Sequence, residues 1–327
     1  MLRCSLLASA ALAASFLCRG AWAQGVTYLD PSHWHAHPGD LVTVRPKVLH
    51  RTWDSGRKMA GSEAAAARKP EGIRRADVNW RDRMTSVLFV RGAGTQTNHD
   101  APPVIPAEDG APSGAPANGD PARRLRFQPA EADTWMVGAD WAPRTERVLT
   151  SHLSSFLALH GEAWPAALPA DREYVRVARY ESSKVLSVVP DANGRSGSSG
   201  TAMSKTAQHA QLRPLNDPCM TVPGTLLLVR LYLPEGVPLA RTGTATQLAS
   251  GETVSFAFDS MGFGALEIPS AGPWLLEVHA VAAPGETVRQ GKALTNAADL
   301  VMHSVTFAFE APPAAPREKT DAPGEER

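Results

Sequence analysis

Between Leu212 and Phe309 the chain repeats one pattern, a short β-branched or aromatic run followed by a turn, with no segment of helical spacing between the runs. The runs read TLLLVRLYL, TVSFAFD, GALEIPS, PWLLEVHAVA and HSVTFAFE, and Pro234, Gly236 and Gly262 sit in the breaks. Strands that follow one another without crossover helices favour antiparallel pairing and a sandwich. The expected fold class is therefore mainly β, with two β-sandwich-like domains, the C-terminal one spanning residues 212–310.

The first half is less uniform. From Tyr28 to Val48, Leu41, Val42, Thr43 and Val44 follow a Pro38-Gly39 break, which predicts strand, turn, strand. Met84 to Val90 is another strand-like run, whereas residues 93–124 hold too little apolar content to pack and read as an exposed, disordered insertion. In RTERVLTSHLSSFLALHGE, the spacing of Val148, Leu149, Leu153, Phe156 and Leu157 predicts one amphipathic helix over about 145–160, stopped by Gly161. Residues 171–189 are ambiguous, with their valines favouring extended structure. A Gly/Ser-rich stretch makes 191–211 a linker or loop between an N-terminal β domain (24–190) and the sandwich, and 311–327 reads as a disordered tail. Whether the two β halves share one core stays open.

Residues 1–23 carry Arg3, an apolar run from Leu6 to Leu17 and the small-x-small end Ala21-Trp22-Ala23. That is the layout of a secretory signal peptide, and the run is shorter than the ~20 residues a membrane span needs. The expectation is an exported, periplasmic protein with no transmembrane span in its mature chain; a retained anchor is the alternative, and Leu17 before Cys18 argues against a lipoprotein. Loss of Cys4 and Cys18 with the signal leaves Cys219 alone, so no intramolecular disulfide forms. Lys plus Arg and Asp plus Glu are both 33, which gives no pull toward nucleic acid.

The strongest local motif is PSHWHAHPGD, with His33, His35 and His37 on alternate residues. In an extended strand these point to one face ~6.6 Å apart, so two neighbours can share an ion and a third needs a bend, which Pro38-Gly39 offers. The competing reading is an amphipathic strand, with Trp34 and Ala36 facing the core and the histidines on a polar rim. His279, in LLEVHAV, is a further candidate ligand on the open face of its strand, against a hydrogen-bonded sheet histidine; His303 stands in the same position. Imidazole suits nickel, zinc and copper alike, and affinity order alone favours copper over nickel, so residue type does not choose among them. No G-x-S-x-G, Walker, H-E-x-x-H, C-x-x-C or G-x-G-x-x-G pattern is present, Gly197 to Gly200 lies in the linker, Cys219 has no basic neighbour, and Glu146 and Glu162 are too scattered for an acid–base pair. Trp34, Trp53, Trp135 and Trp274 read as core residues before they read as a sugar platform. Binding rather than catalysis is expected, so the chain is not read as an enzyme.

Five collinear blocks carry a resemblance: LDPS followed by PGDLVTV; the RTERVLTSHLSSFLALHG segment with REYVRVARY; QLRPLNDPCMTVPGTLLLVRLYLPEGVPLA; GPWLLEVHAV; and HSVTFAFE. Together they resemble the DUF4198 family of exported bacterial proteins, filed as periplasmic components of cobalt and nickel transport systems. The resemblance implies an immunoglobulin- or transthyretin-like C-terminal sandwich, a nickel or cobalt ion as cargo and a membrane metal-transport complex as partner. The chain departs from the family where members begin with a His-Asp pair, since Gln24, Gly25 and Val26 stand here. The alternative is a non-catalytic envelope interaction module without metal.

Overall fold

The structure, a computed structural model, describes residues 25–52, 72–77, 85–92, 95–99, 125–129, 132–166, 168–169, 171–191, 200–284 and 298–314. The expected signal segment, residues 100–124 of the expected insertion, 192–199 of the expected linker and 315–327 of the tail lie outside them. The fold is mainly β, with several sheets and one α-helix among the described residues.

β1 (Gly25–Pro31) pairs antiparallel with β2 (Val42–Thr52), and β3 (Gly72–Asp77) and β6 (Leu125–Phe127) complete a four-stranded sheet around β2. A nine-stranded sheet forms the centre. Its order runs β13 (Thr253–Ala257), β12 (Thr242–Gln247), β15 (Gly272–Ala282), β16 (Leu300–Ala311), β9 (Tyr174–Val189), β7 (Asp133–Trp141), β4 (Thr85–Gly92) and β5 (Thr95–His99), and β8 (Arg144–Leu149) pairs with the start of β9. β10 (Gln211–Pro214), β11 (Leu226–Tyr232) and β14 (Phe263–Glu267) make a third, three-stranded sheet.

The two halves anticipated from sequence meet inside the central sheet, because β16 lies parallel to β9 over Leu300–Ala308 and Val177–Val185. This parallel pair is a departure from the all-antiparallel expectation. It arises because the last strand among the described residues returns across the sheet to insert beside β9. Met136, Leu186 and Val188 from the first half pack with Leu212, Leu227, Leu266, Trp274, Leu276 and Phe307 from the second, so the halves share a core. Alternation along β9 explains the layering. Leu186 and Val188 face the three-stranded sheet, while Val185 and Val189 face β1 and β2 with Val26, Leu29 and Leu49. With both faces covered, β9 is buried almost end to end, which resolves the ambiguous 171–189 stretch as one long strand.

Two other expectations are corrected. The helix, α1, spans Thr150–Leu159, and Arg144–Leu149 is strand instead. Those six residues meet the free edge of β9 at Tyr174–Arg179, and ladder pairing there outweighs their helical spacing. Within the expected insertion, Thr95–His99 is a strand paired with β4. α1 buries Leu153, Phe156 and Leu157 over Val175 and Val177. Gly161, at φ +68°, ends the helix in the left-handed region, where a side chain is costly.

Candidate metal centre

The end of α1 delivers one half of the site. Phe156 and His160 are four residues apart, hence one above the other on the face turned to the sheet, and His160 is 1% exposed. β15 delivers the other half: Glu277 and His279 are two residues apart on one face, and both are fully buried. Ligand atoms of His160, Glu277 and His279 all lie within 4.8 Å of one another. No other group of three or more His, Cys, Asp or Glu side chains among the described residues meets that distance.

His160 Nε2 stands 4.0 Å from Glu277 Oε1, and the two imidazole rings are 4.3 Å apart at 63°. Phe156 packs against both rings, at 4.7 Å from His160 and 4.6 Å from His279. Outer contacts fix the rings: His279 Nδ1 lies 2.9 Å from Ser304 Oγ, His160 Nδ1 lies 3.4 Å from Thr244 Oγ1, and the Thr242 hydroxyl donates to the His160 carbonyl. Holding Nδ1 leaves Nε2 as the ligand atom. Two imidazoles and a carboxylate are a recognised zinc set, with a fourth position open. An ion ~2.1 Å from each donor would hold them about 3.4 Å apart, closer than the 4.0 Å between His160 Nε2 and Glu277 Oε1.

Strand register sets this centre in a buried polar lane. Thr244, Glu277, Thr306 and Ser183 occupy one row across β12, β15, β16 and β9, and His279, Ser304 and Glu181 the next. The lane continues into Arg179 and Glu181, within the consecutive buried residues Arg179 to Lys184. Arg179 Nη1 donates to the Gly25 carbonyl at 2.9 Å and stands 3.5 Å from Glu146, while Arg144 stands 3.6 Å from Glu181. Thr27 donates to Glu181 at 3.3 Å, and the Ser183 and Thr306 hydroxyls donate to the Thr27 carbonyl at 3.0 and 2.9 Å. These bonds satisfy polar groups that would otherwise be costly at this depth, and they fasten β1 to the central sheet.

The opposite face of the same strands carries a second polar group. Asp140, on β7 beside Ser182, accepts from the Ser182 hydroxyl at 2.6 Å, from the His209 amide at 3.0 Å and from Gln208 Nε2 at 3.4 Å. His209 Nδ1 lies 3.1 Å from Asp140 Oδ2. His303 stacks on Tyr180 at 5.1 Å and 17°, with the His209 ring 5.8 Å away. Burial, with His209 adding to it, pushes the His303 imidazole down to about 3, so it is neutral at any physiological pH. Lys184 is fully buried beside them and is pushed down to about 7, first by desolvation and then by Arg213, against the pull of Asp140.

The histidine triplet sits elsewhere, in the connection from β1 to β2, where His35 bridges in parallel to Val188. Ala36 is buried and Trp34 half-buried, whereas His33, His35 and His37 are exposed. His33 Nδ1 contacts Ser32 Oγ at 3.0 Å, His35 Nε2 pairs with Glu310 at 3.1 Å, and the His37 amide donates to Asp40. His279 joins His160 and Glu277, not the triplet. Its strand face is covered rather than open, because α1 packs over it.

Sequence reading missed His160 and Glu277. The signal was there: a lone glutamate two residues before a histidine inside LLEVHAV has to be buried with its strand, and a buried carboxylate needs a partner. Cys219 is 2% exposed, and burial first, then Asp217, pushes its thiol well above its ordinary range. Glu162, remote from Glu146 in contacts, bonds the Arg241 amide at 3.1 Å, and desolvation raises its carboxyl. Trp274 is core, and Trp34 and Trp135 pack partly buried against β1 and β2; Trp53 lies outside the described residues. No helix among the described residues is long and apolar enough to cross a membrane. No model of a known protein family matches the chain, and no curated protein matches it.

Proposed function

We propose that the chain is an exported metal-binding protein of the cell envelope that holds one transition-metal ion on His160, Glu277 and His279, as an accessory of nickel or cobalt uptake. The observation that carries the reading is the convergence of three buried donors from two elements to within 4.8 Å. Glu277 Oε1 stands 4.0 Å from His160 Nε2, which sets a carboxylate beside an imidazole in the group. Mixed nitrogen and oxygen donors suit nickel, cobalt and zinc, with copper above them in intrinsic affinity. The choice of nickel or cobalt, the periplasmic location and a membrane transport complex as recipient rest on the resemblance to DUF4198 proteins. A closed donor set under Phe156 favours slow release, as holding and delivery require.

Calorimetric titration of untagged protein from Gln24 onward with nickel, cobalt, zinc and copper tests this. One equivalent is expected to vanish in His160→Ala and His279→Ala and to persist when His33, His35 and His37 are all alanine. Persistence in the first pair with loss in the triple variant would transfer the site to the triplet. A second reading, a metal-free envelope interaction module, is favoured by the outer face of the three-stranded sheet, where Leu226, Leu228 and Phe263 are 55%, 41% and 38% exposed. Absence of binding to all four metals would leave that reading standing.

A further inference from the structure

Ser304 and His303 are neighbours on β16, so they point to opposite faces of the central sheet. Ser304 supports the His279 ring, whereas His303 enters the polar group around Asp140 and has a different set of neighbours. Both ring nitrogens of His303 and Nε2 of His209 are buried without a hydrogen-bond partner among the described residues. A buried imidazole with neither nitrogen bonded, as in His303, is expensive, and the unbonded Nε2 of His209 on the neighbouring ring points to a ligand that both could share.

We propose that His209 and His303 form a second metal site, a two-imidazole clamp for a zinc- or copper-type ion, with Asp140 orienting His209. Asp140 engages Nδ1 of His209 at 3.1 Å, which directs the Nε2 lone pair away from the carboxylate, the carboxylate–histidine–metal arrangement. Ser182 Oγ, 3.4 Å from the same Nδ1 and donating to Asp140 at 2.6 Å, fixes the carboxylate in turn. Tyr180, stacked on His303, holds the second ring in plane. An ion ~2.0 Å from one nitrogen of each ring would set the ring centres about 5 to 6 Å apart, and the observed separation is 5.8 Å.

The donors choose the ion class. Imidazoles without a thiolate, and with the only carboxylate committed to orientation, bind zinc and copper and discriminate against calcium and magnesium, which demand oxygen. The His209 side chain is 21% exposed, which provides a path from solvent to the buried ring.

The inference stands apart from the His160 centre, and its test separates the two. Zinc bound to the chain from Gln24 onward is counted by equilibrium dialysis and elemental analysis for wild type, His279→Ala, His303→Phe and His209→Asn. Phenylalanine keeps the stack on Tyr180 and asparagine keeps a donor toward Asp140, so both variants are expected to fold, with circular dichroism as the check. Wild type should bind two ions, and each variant one. Loss of a donor should weaken the clamp by more than the ~10–100-fold typical of losing an orienting partner. Retention of both ions in His303→Phe and His209→Asn would overturn the clamp, as would a single wild-type ion lost only in His279→Ala. A single ion lost in His303→Phe and kept in His279→Ala would establish the clamp and remove the His160 centre.

Discussion

Lys184 offers the most direct test of the electrostatics in the central sheet. Its side chain is 1% exposed, its Nζ donates to Gln211 Oε1 at 3.2 Å, and the Phe307 ring lies 5.9 Å away. Desolvation, reinforced by Arg213 and opposed by Asp140, lowers the ammonium from 10.5 to about 7. An unfolded lysine therefore binds a proton between pH 7 and 10.5 that the folded protein has released, and stability rises with pH across that window. The penalty is complete below pH 7, and a shift of this size corresponds to about 5 kcal/mol. Lys184→Met keeps the stem and removes the charge, and Gln211 Oε1 retains the Thr206 amide and hydroxyl as donors, each at 3.0 Å. In urea denaturation with chelator present, the variant should exceed wild type in stability at pH 7, and the gap should close by ~1.4 kcal/mol per pH unit toward pH 10. Cys219 acts in the opposite direction: its folded thiol keeps a proton that the unfolded one releases near pH 9, so both proteins lose stability above that pH and the difference between them is unaffected. A gap that stays flat from pH 7 to 10 would refute the assignment of Lys184 as a lysine held neutral.

Other expectations follow from packing. Leu276→Ala removes a fully buried side chain from the core shared by both halves and should cost ~2–5 kcal/mol, seen as a lower urea midpoint with an unchanged slope; a cost under 1 kcal/mol would mean that the halves do not share that core. Gly262 sits at φ +79° with the Leu231 carbonyl 2.8 Å from where a Cβ would stand, so Gly262→Ala should destabilise by about 1–3 kcal/mol, and a neutral thermal shift would contradict the turn. Cys219 should resist thiol reagents in the native protein and react fully in guanidinium, and rapid native labelling would contradict its burial.

Legibility in the sequence followed the periodicity. The runs in the second half became β11 and β13–β16 because alternation and turn residues agree with their environment. Arg144–Leu149 misled because Val148 and Leu149 continue the helical spacing of Leu153 and Phe156, and only the long-range partner Tyr174–Arg179 makes them strand. Parallel insertion of β16 beside β9 joins residues more than a hundred positions apart, and no local pattern encodes it. The site shows the same limit. HWHAH was conspicuous as a motif, yet its alternation also describes an edge segment with Trp34 and Ala36 inward, the arrangement seen. Glu277 and His279 were visible only as polar residues in an apolar strand, and His160 as the residue before a helix-stopping glycine.

The buried polar residues of Arg179 to Lys184 connect these observations. A central strand covered on both faces has no solvent for its side chains, so polar residues there must find partners on each layer in alternation. Arg179, Glu181 and Ser183 find β1, β8 and β16, while Ser182 and Lys184 find β7 and the start of β10. His160 comes from the first half of the chain and Glu277 and His279 from the second, and the clamp likewise takes His303 from the last strand and its Asp140 support from β7. β16 lies between β15 and β9 and carries both His303 and the Ser304 that contacts the His279 ring. On the proposed metal reading, donors drawn from both halves of the sheet would link metal affinity to folding, and an ion at a hundred times its Kd would add ~2.7 kcal/mol to the folded state.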